Sequence, residues 1–256
     1  MLMVNQLAGF GARRPSAGGG GGSDPYFANV VLLLGFEGTN GATSTTDESP
    51  SAHSPITFGG NAQIDTSTAA VTSSTSCLVL DTSGDYVSIP DSIDWKLASS
   101  NSDQYTIEFW FNPHGNVGGG SWLFGHGDFG DWGWDIDHTQ SSGATSALSF
   151  NYSSNGSSRT THDFLNLTIS LDTWHFVAIS KNSSGKIRAW LDGTLLGSYT
   201  PADSSINNST KALEIGRFIG VTNANSRLDE IRITKGVCRY DVDTSITVPT
   251  AAFPRS

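Results

Sequence analysis

The sequence predicts an all-β protein, a two-sheet antiparallel sandwich with an extended N-terminal tail. Three observations carry that reading. From Asp24 onward the apolar residues recur with a period of two, which places successive side chains on opposite faces of a strand. The chain is 37% hydrophobic and 15% charged, and its 29 glycines, with many Ser, Thr and Asn, suit short strands joined by polar turns. No segment shows a strong amphipathic-helix pattern. At 256 residues there is material for one large β domain, so the chain divides into a tail over residues 1–23 and one sandwich over residues 24–256.

The tail begins with a short apolar peptide (MLMVNQLAGF), continues through Arg13-Arg14-Pro15, and ends in five glycines at 18–22 before Ser23. This reads as a docking peptide on a flexible linker, held by another protein or a sister copy, which implies a homo-oligomer. It has no continuous apolar core of export-signal length, and its arginines follow the apolar residues. Strands are predicted over 30–37, 77–81 and 85–89, with Ser83-Gly84 as a tight reversal between the last two. Residues 105–112 alternate Tyr105, Ile107, Phe109 and Phe111 on one face with Thr106, Glu108 and Trp110 on the other, the pattern of a half-buried strand. Strands over 122–125 and 147–152 come next. Residues 174–181 (WHFVAISK), a glycine-assisted turn and residues 186–192 (KIRAWLD) form a hairpin, and Asp192-Gly193 turns the chain into 194–199. Strands over 212–216 and 227–234 complete the set, and residues 92–97 and 235–240 each suit one helical turn.

The net charge of −10 and pI near 4.8 argue against nucleic acid as a partner, because phosphate binding needs clustered Lys and Arg. No stretch approaches the ~20 apolar residues of a membrane span, so no membrane insertion is expected and the chain reads as soluble or part of a soluble assembly. Cys77 and Cys238 match no metal or redox spacing and read as two separate small buried thiols, with a disulfide between them as the alternative.

Four segments together resemble the laminin-G-like jelly-roll family of concanavalin A-like lectins and glucanases: residues 78–90 (LVLDTSGDYVSIP), 105–111 (YTIEFWF), 174–193 (WHFVAISKNSSGKIRAWLDG) and 227–234 (RLDEIRIT). Residues 24–41 and 233–254 are also similar to the ends of such domains in bacteriophage virion proteins. The resemblance implies a jelly roll, and a virion component, a tail or head fibre or a capsid decoration, that displays a module able to bind host glycans. A bacterial extracellular adhesion module is the alternative. It also implies one structural calcium ion held by carboxylates and carbonyls, for which Glu37, Asp47 and Asp229, with Glu230 beside it, are the oxygen-bearing candidates. Glu37 stands in an FEG triplet where FDG is more usual.

Residues 125–138 (GHGDFGDWGWDIDH) are the densest polar and aromatic cluster. On a strand, Asp135 and Asp137 share one face, and Trp134, Ile136 and His138 the other. Trp132 and Trp134, with Asp131, Asp135, Asp137 and Tyr152, suit a sugar platform, because an aromatic face packs on the C–H face of a pyranose while nearby acids bond its hydroxyls. The Glu-x-Asp-x-x-Glu arrangement of the related glucanases is absent and Glu108 stands alone, so hydrolysis is not expected. His126 and His138 read as surface residues, since zinc needs at least three convergent ligands. No nucleophile elbow, zinc-protease, P-loop or dinucleotide motif occurs.

Overall fold

The computed structural model describes residues 22–81, 84–114, 121–140, 146–218, 221–222 and 225–256. Residues 1–21 of the tail, and Ser83 of the predicted 83–84 turn, lie outside them. The described strands are β1 (Val30–Leu34), β2 (Thr57–Gly59), β3 (Gln63–Asp65), β4 (Cys77–Leu80), β5 (Tyr86–Ile89), β6 (Tyr105–Pro113), β7 (Ser121–Asp128), β8 (Asp131–Gln140), β9 (Ser146–Tyr152), β10 (Thr160–Leu167), β11 (His175–Lys181), β12 (Ile187–Leu191), β13 (Thr194–Tyr199), β14 (Leu213–Ile215), β15 (Arg217–Phe218), β16 (Val221–Thr222) and β17 (Ser226–Lys235). One sheet runs β13-β12-β11-β6-β17-β4-β3, with β1 also on β17; the other runs β10-β9-β8-β7-β14-β5-β2. The pairing is antiparallel and the two sheets form the predicted jelly-roll sandwich. Among the described residues no helix is long and apolar enough to cross a membrane.

Alternation builds the core. Ile107, Phe109 and Phe111 of β6 and Val177 and Ile179 of β11 face Phe124, Trp134, Ile136, Leu148 and Phe150 of the opposite sheet. The turn at 192–193 forms as its residues dictate, with φ of 49° at Asp192 and 79° at Gly193, the left-handed pair that a two-residue hairpin needs. Of the two predicted helical turns, only the first is helical: a 3-10 turn at Ile93–Trp95, capped by Ser92, whose Oγ accepts from Asp94 N at 3.2 Å. Residues 235–240 continue β17 into irregular chain. Cys77 and Cys238 are both free thiols.

The expectation of a half-buried β6 is corrected, since all nine of its residues are buried. Its second face, with Trp110, packs with Phe176 and Trp190 against Val30, Leu33, Val71, Ala252 and Phe253. The C-terminal segment 236–256 forms this cover like a strap. Tyr240 Oη donates to Glu108 Oε1 at 2.6 Å, Arg188 pairs with Asp241 and Asp243, and Trp190 Nε1 donates to the Thr244 carbonyl at 2.8 Å. At its end Asp24 N donates to the Ser256 carbonyl at 2.8 Å. Beneath it Glu108, isolated in sequence, meets its cross-strand partner Arg232, whose Nη2 lies 2.7 Å from Glu108 Oε2. Each charge takes the other out of an otherwise prohibitive environment.

Candidate functional site

Strands β7 and β8 form a hairpin whose tip is Phe129-Gly130, and β8 continues through β9 to β10. On the outward face of β8 the alternation puts Asp135 and Asp137 side by side, as the sequence predicts. Asn151 Nδ2, on the neighbouring strand, donates to Asp135 Oδ2 at 2.7 Å and Asp137 Oδ2 at 2.8 Å. Arg159 reaches over both, with Nη2 at 2.7 Å from Asp135 Oδ2 and 3.3 Å from Asp137 Oδ2. One strand further, Ser149 Oγ donates to Asp163 Oδ1 at 2.8 Å. Burial pushes the Asp135 carboxyl up to about 7 against the pull of Arg159, and burial likewise raises Asp137. The pair therefore carries less negative charge near neutrality than two free aspartates.

The two tryptophans do not form one platform. The β7–β8 register slips between His126 and Gly127, leaving Gly133 as an extra residue in β8. A Cβ on Gly133 would lie 2.3 Å from the His126 carbonyl oxygen, so only glycine passes there. This bulge separates the two indoles. Trp134 points inward, fully buried, and its Nε1 donates to the Trp95 carbonyl at 2.8 Å. Trp132, half-buried, turns to the Arg159 side, with the guanidinium carbon 5.5 Å from its ring centroid. Tyr152 also belongs to the inner face; it is 3% exposed and its hydroxyl donates to the Asp203 carbonyl. Asp131 is occupied by the loop at 207–210, accepting from Asn207 Nδ2, Ser209 Oγ, Thr210 N and Thr210 Oγ1. Burial works to raise its carboxyl, and these hydrogen bonds together outweigh that and hold it below the usual range. Of the six predicted sugar contacts, Trp132 and Asp137 are thus left partly open, with Asp135 buried just beneath.

Two residues missed in the sequence complete the surface. Phe129 is 73% exposed at the hairpin tip, and its ring stands edge-on to Trp132 at 5.3 Å. Arg159 is the other. The available signal was a large apolar residue in a turn, DFGD, where polar residues normally sit. The histidine reading is corrected as well. His126 and His138 are 0% and 2% exposed, because His138 alternates inward with Ile136 while His126 lies against Gly133. Burial lowers both, His138 to about 4.

The expected calcium ligands do not assemble. Glu37 and Asp229 approach one another through Ser74, whose Oγ donates to Glu37 Oε1 at 2.8 Å and Asp229 Oδ2 at 2.9 Å. Their remaining contacts are also protein donors: Thr75 on Glu37, and Ala70 N and Glu230 N on Asp229. Burial, with Glu230 beside it, raises Asp229 to about 8. Asp47 makes a separate web, accepting from the N–H groups of Leu33, Ser49 and His53. Glu230, at φ 48° on the β17 bulge, is held by Arg255 together with Glu48. Among the described residues no three His, Cys, Asp or Glu are grouped to hold a metal, and these residues do not fit a shared calcium.

No curated protein matches the chain. Among solved structures, the binding domain of Paraclostridial Mosquitocidal Protein 1 aligns with a TM-score of 0.61 and 19% identity, over 83% of this chain and 50% of that one. The binding domain of botulinum neurotoxin serotype D aligns with a TM-score of 0.62 and 15% identity, over 84% of this chain and 50% of that one. The chain thus spans about half the length of these toxin binding domains. Domain 4 of AbnA, an extracellular arabinanase from Geobacillus stearothermophilus, in complex with arabinotriose, aligns with a TM-score of 0.59 and 19% identity, over 82% of this chain and 94% of that one. These likenesses are of fold. Residues 81–239 match the family model described as concanavalin A-like lectin/glucanases superfamily, of the laminin G type, and with more than half of its length so matched the chain belongs to that superfamily.

Proposed function

We propose that the protein is a non-catalytic, lectin-like binding module whose ligand surface is the tip of the β7–β8 hairpin and the adjoining outward face, around Phe129, Trp132, Arg159 and Asp137. The observation that carries this reading is the exposure of Phe129, 73%, beside a half-buried indole. A large apolar side chain held in water at a rigid turn gains nothing from folding, and pairs with Trp132 as a platform for the C–H face of a sugar. Arg159 and Asp137 at its margin are placed to bond hydroxyls. The arabinotriose complex of AbnA domain 4, and the botulinum neurotoxin DC binding domain in complex with SialylT, support a saccharide as the ligand class. Asp135 and Asp137 are tied to one arginine and one asparagine, an arrangement that favours a scaffold over an acid/base pair. The test is a glycan array probed with the full chain: a defined set of oligosaccharides binds, and Phe129→Ala removes the signal while leaving the circular dichroism spectrum unchanged. Unaltered binding by Phe129→Ala, or no binding on a broad array, overturns the reading.

The setting we infer is a phage particle, with residues 1–23 docking the module to other virion proteins or to sister copies; display on a bacterial surface is the alternative. Support comes from the sequence of the tail and of the flanks. Light scattering of the full chain against a chain starting at Asp24 tests this: the full chain is oligomeric and the shortened one monomeric, and an oligomer that survives the truncation ends the docking claim.

A further inference from the structure

The protein is acidic, with 24 carboxylate side chains against 14 Lys and Arg, and most of the described Lys and Arg side chains are spent on one of them. Arg159, Lys186, Arg188, Lys211, Arg217, Arg227, Arg232, Arg239 and Arg255 all stand in ion pairs. The three lysines without such a pair among the described residues are Lys96, Lys181 and Lys235, and they converge on one place. Lys96 and Lys235 line a cavity of about 410 Å³ together with Ser99, Ser102, Asp103 and Gln104. Lys181, fully buried, lies beneath the loop that forms its wall and donates its ammonium protons to the carbonyls of Ser100, Asn101 and Asp103.

Three positive charges around one cavity in a protein of net charge −10 repel one another and are only partly balanced. The acids that face them are Asp94 and Asp103, and both are already engaged. Asp103 Oδ2 accepts from Ser99 N and Ser100 N, and Asp94 Oδ2 accepts from Ser51 Oγ and bonds His53 Nε2. The cavity therefore keeps one uncompensated positive charge. Lys235 Nζ donates to the Ile93 carbonyl at 2.6 Å, whereas the ammonium group of Lys96 has no hydrogen-bond partner among the described residues, its backbone N–H alone donating to the Ile93 carbonyl. Beside them the side chain of Ile93 is 62% exposed, giving an apolar margin.

We propose that this cavity is a second ligand site, separate from the Phe129–Trp132 surface, and that it takes a saccharide bearing a single carboxylate, a uronic or sialic acid. One net positive charge matches the single charge of one carboxylate, with lysine acting as a point charge. The Ser99 and Ser102 hydroxyls and the Gln104 amide suit ring hydroxyls, Ile93 suits a C–H face, and the volume falls within the ~300–1,000 Å³ of small-ligand sites.

Calorimetric titration of the full chain with glucuronic acid, N-acetylneuraminic acid, glucose and inorganic phosphate tests this. At least one of the two acids binds, more weakly as salt is raised, while glucose and phosphate do not. Lys96→Glu weakens that binding about tenfold or more, Lys96→Arg restores most of it, and Phe129→Ala leaves it unchanged. The proposal is overturned if neither acid binds, if glucose or phosphate binds as well as the acids, or if Lys96→Glu binds like the parent. Because Phe129→Ala is the deciding variant for the hairpin surface and Lys96→Glu for this cavity, either site can fail without the other.

Discussion

Removing the Asp135 carboxylate strips Arg159 and Asn151 of an acceptor that both share. Asp137 remains as a second acceptor for both, so Asp135→Ala, which removes hydrogen bonds of about 0.5–1.5 kcal/mol each, is expected to lower unfolding free energy by about 1–3 kcal/mol in urea denaturation. The pH dependence has a definite sign. Burial raises this carboxyl to about 7, above the ordinary carboxylate value, so folding favours its protonated form. That contribution is fully present in acid and is lost as pH rises from about 4 through 7. The advantage of wild type over Asp135→Ala should shrink across this interval, and an advantage that grows with pH would show that Asp135 is ionised throughout. The adjacency of Asp135 and Asp137 was legible in the sequence, because period two places residues i and i+2 on one face. The contribution of Arg159 was not, since it approaches from a loop that no local pattern ties to β8.

At the scale of elements, the strands whose inner face alternates cleanly, β6, β11 and β12, were readable from the chain. The three-residue β2 and β3 are too short to show a period, and β10, TTHDFLNL, carries too few apolar positions on its inner face. The bulge at Gly133 explains why the site was only partly legible. Strict alternation assigns Trp132 and Trp134 to one face, and a single extra residue separates them. Gly133→Ala places a methyl group against the His126 carbonyl, where backbone rather than a flexible side chain must yield. A loss of about 1–3 kcal/mol is expected, with glycan binding reduced through displacement of Trp132. An alanine variant with parental stability and binding would show that the bulge tolerates a side chain.

For the whole molecule, the second apolar layer matters as much as the core between the sheets. Phe253 closes it, 3% exposed, with the Arg232 guanidinium carbon 3.8 Å from its ring. Phe253→Ala is expected to cost about 3–5 kcal/mol and to make residues 236–256 cleavable by protease at temperatures where the parent resists; a variant as resistant as wild type would mean that the strap is held by its polar contacts alone. None of this was visible in the β6 pattern, because the cover is supplied by distant segments, β1 and Val71 on one side in sequence and residues 236–256 on the other.

The eight-stranded sheet is joined through β17, the last of the described strands. This strand lies between β6 on one side and β4 and β1 on the other, so the earlier strands have no common neighbour until it is made. During synthesis on the ribosome the emerging polypeptide can form the β11–β12–β13 meander and parts of the opposite sheet, but the eight-stranded layer closes only after residues 226–235 have left the exit tunnel. Closing that layer therefore depends on distant pairings, and a chain lacking residues 226–235 is left with open strand edges.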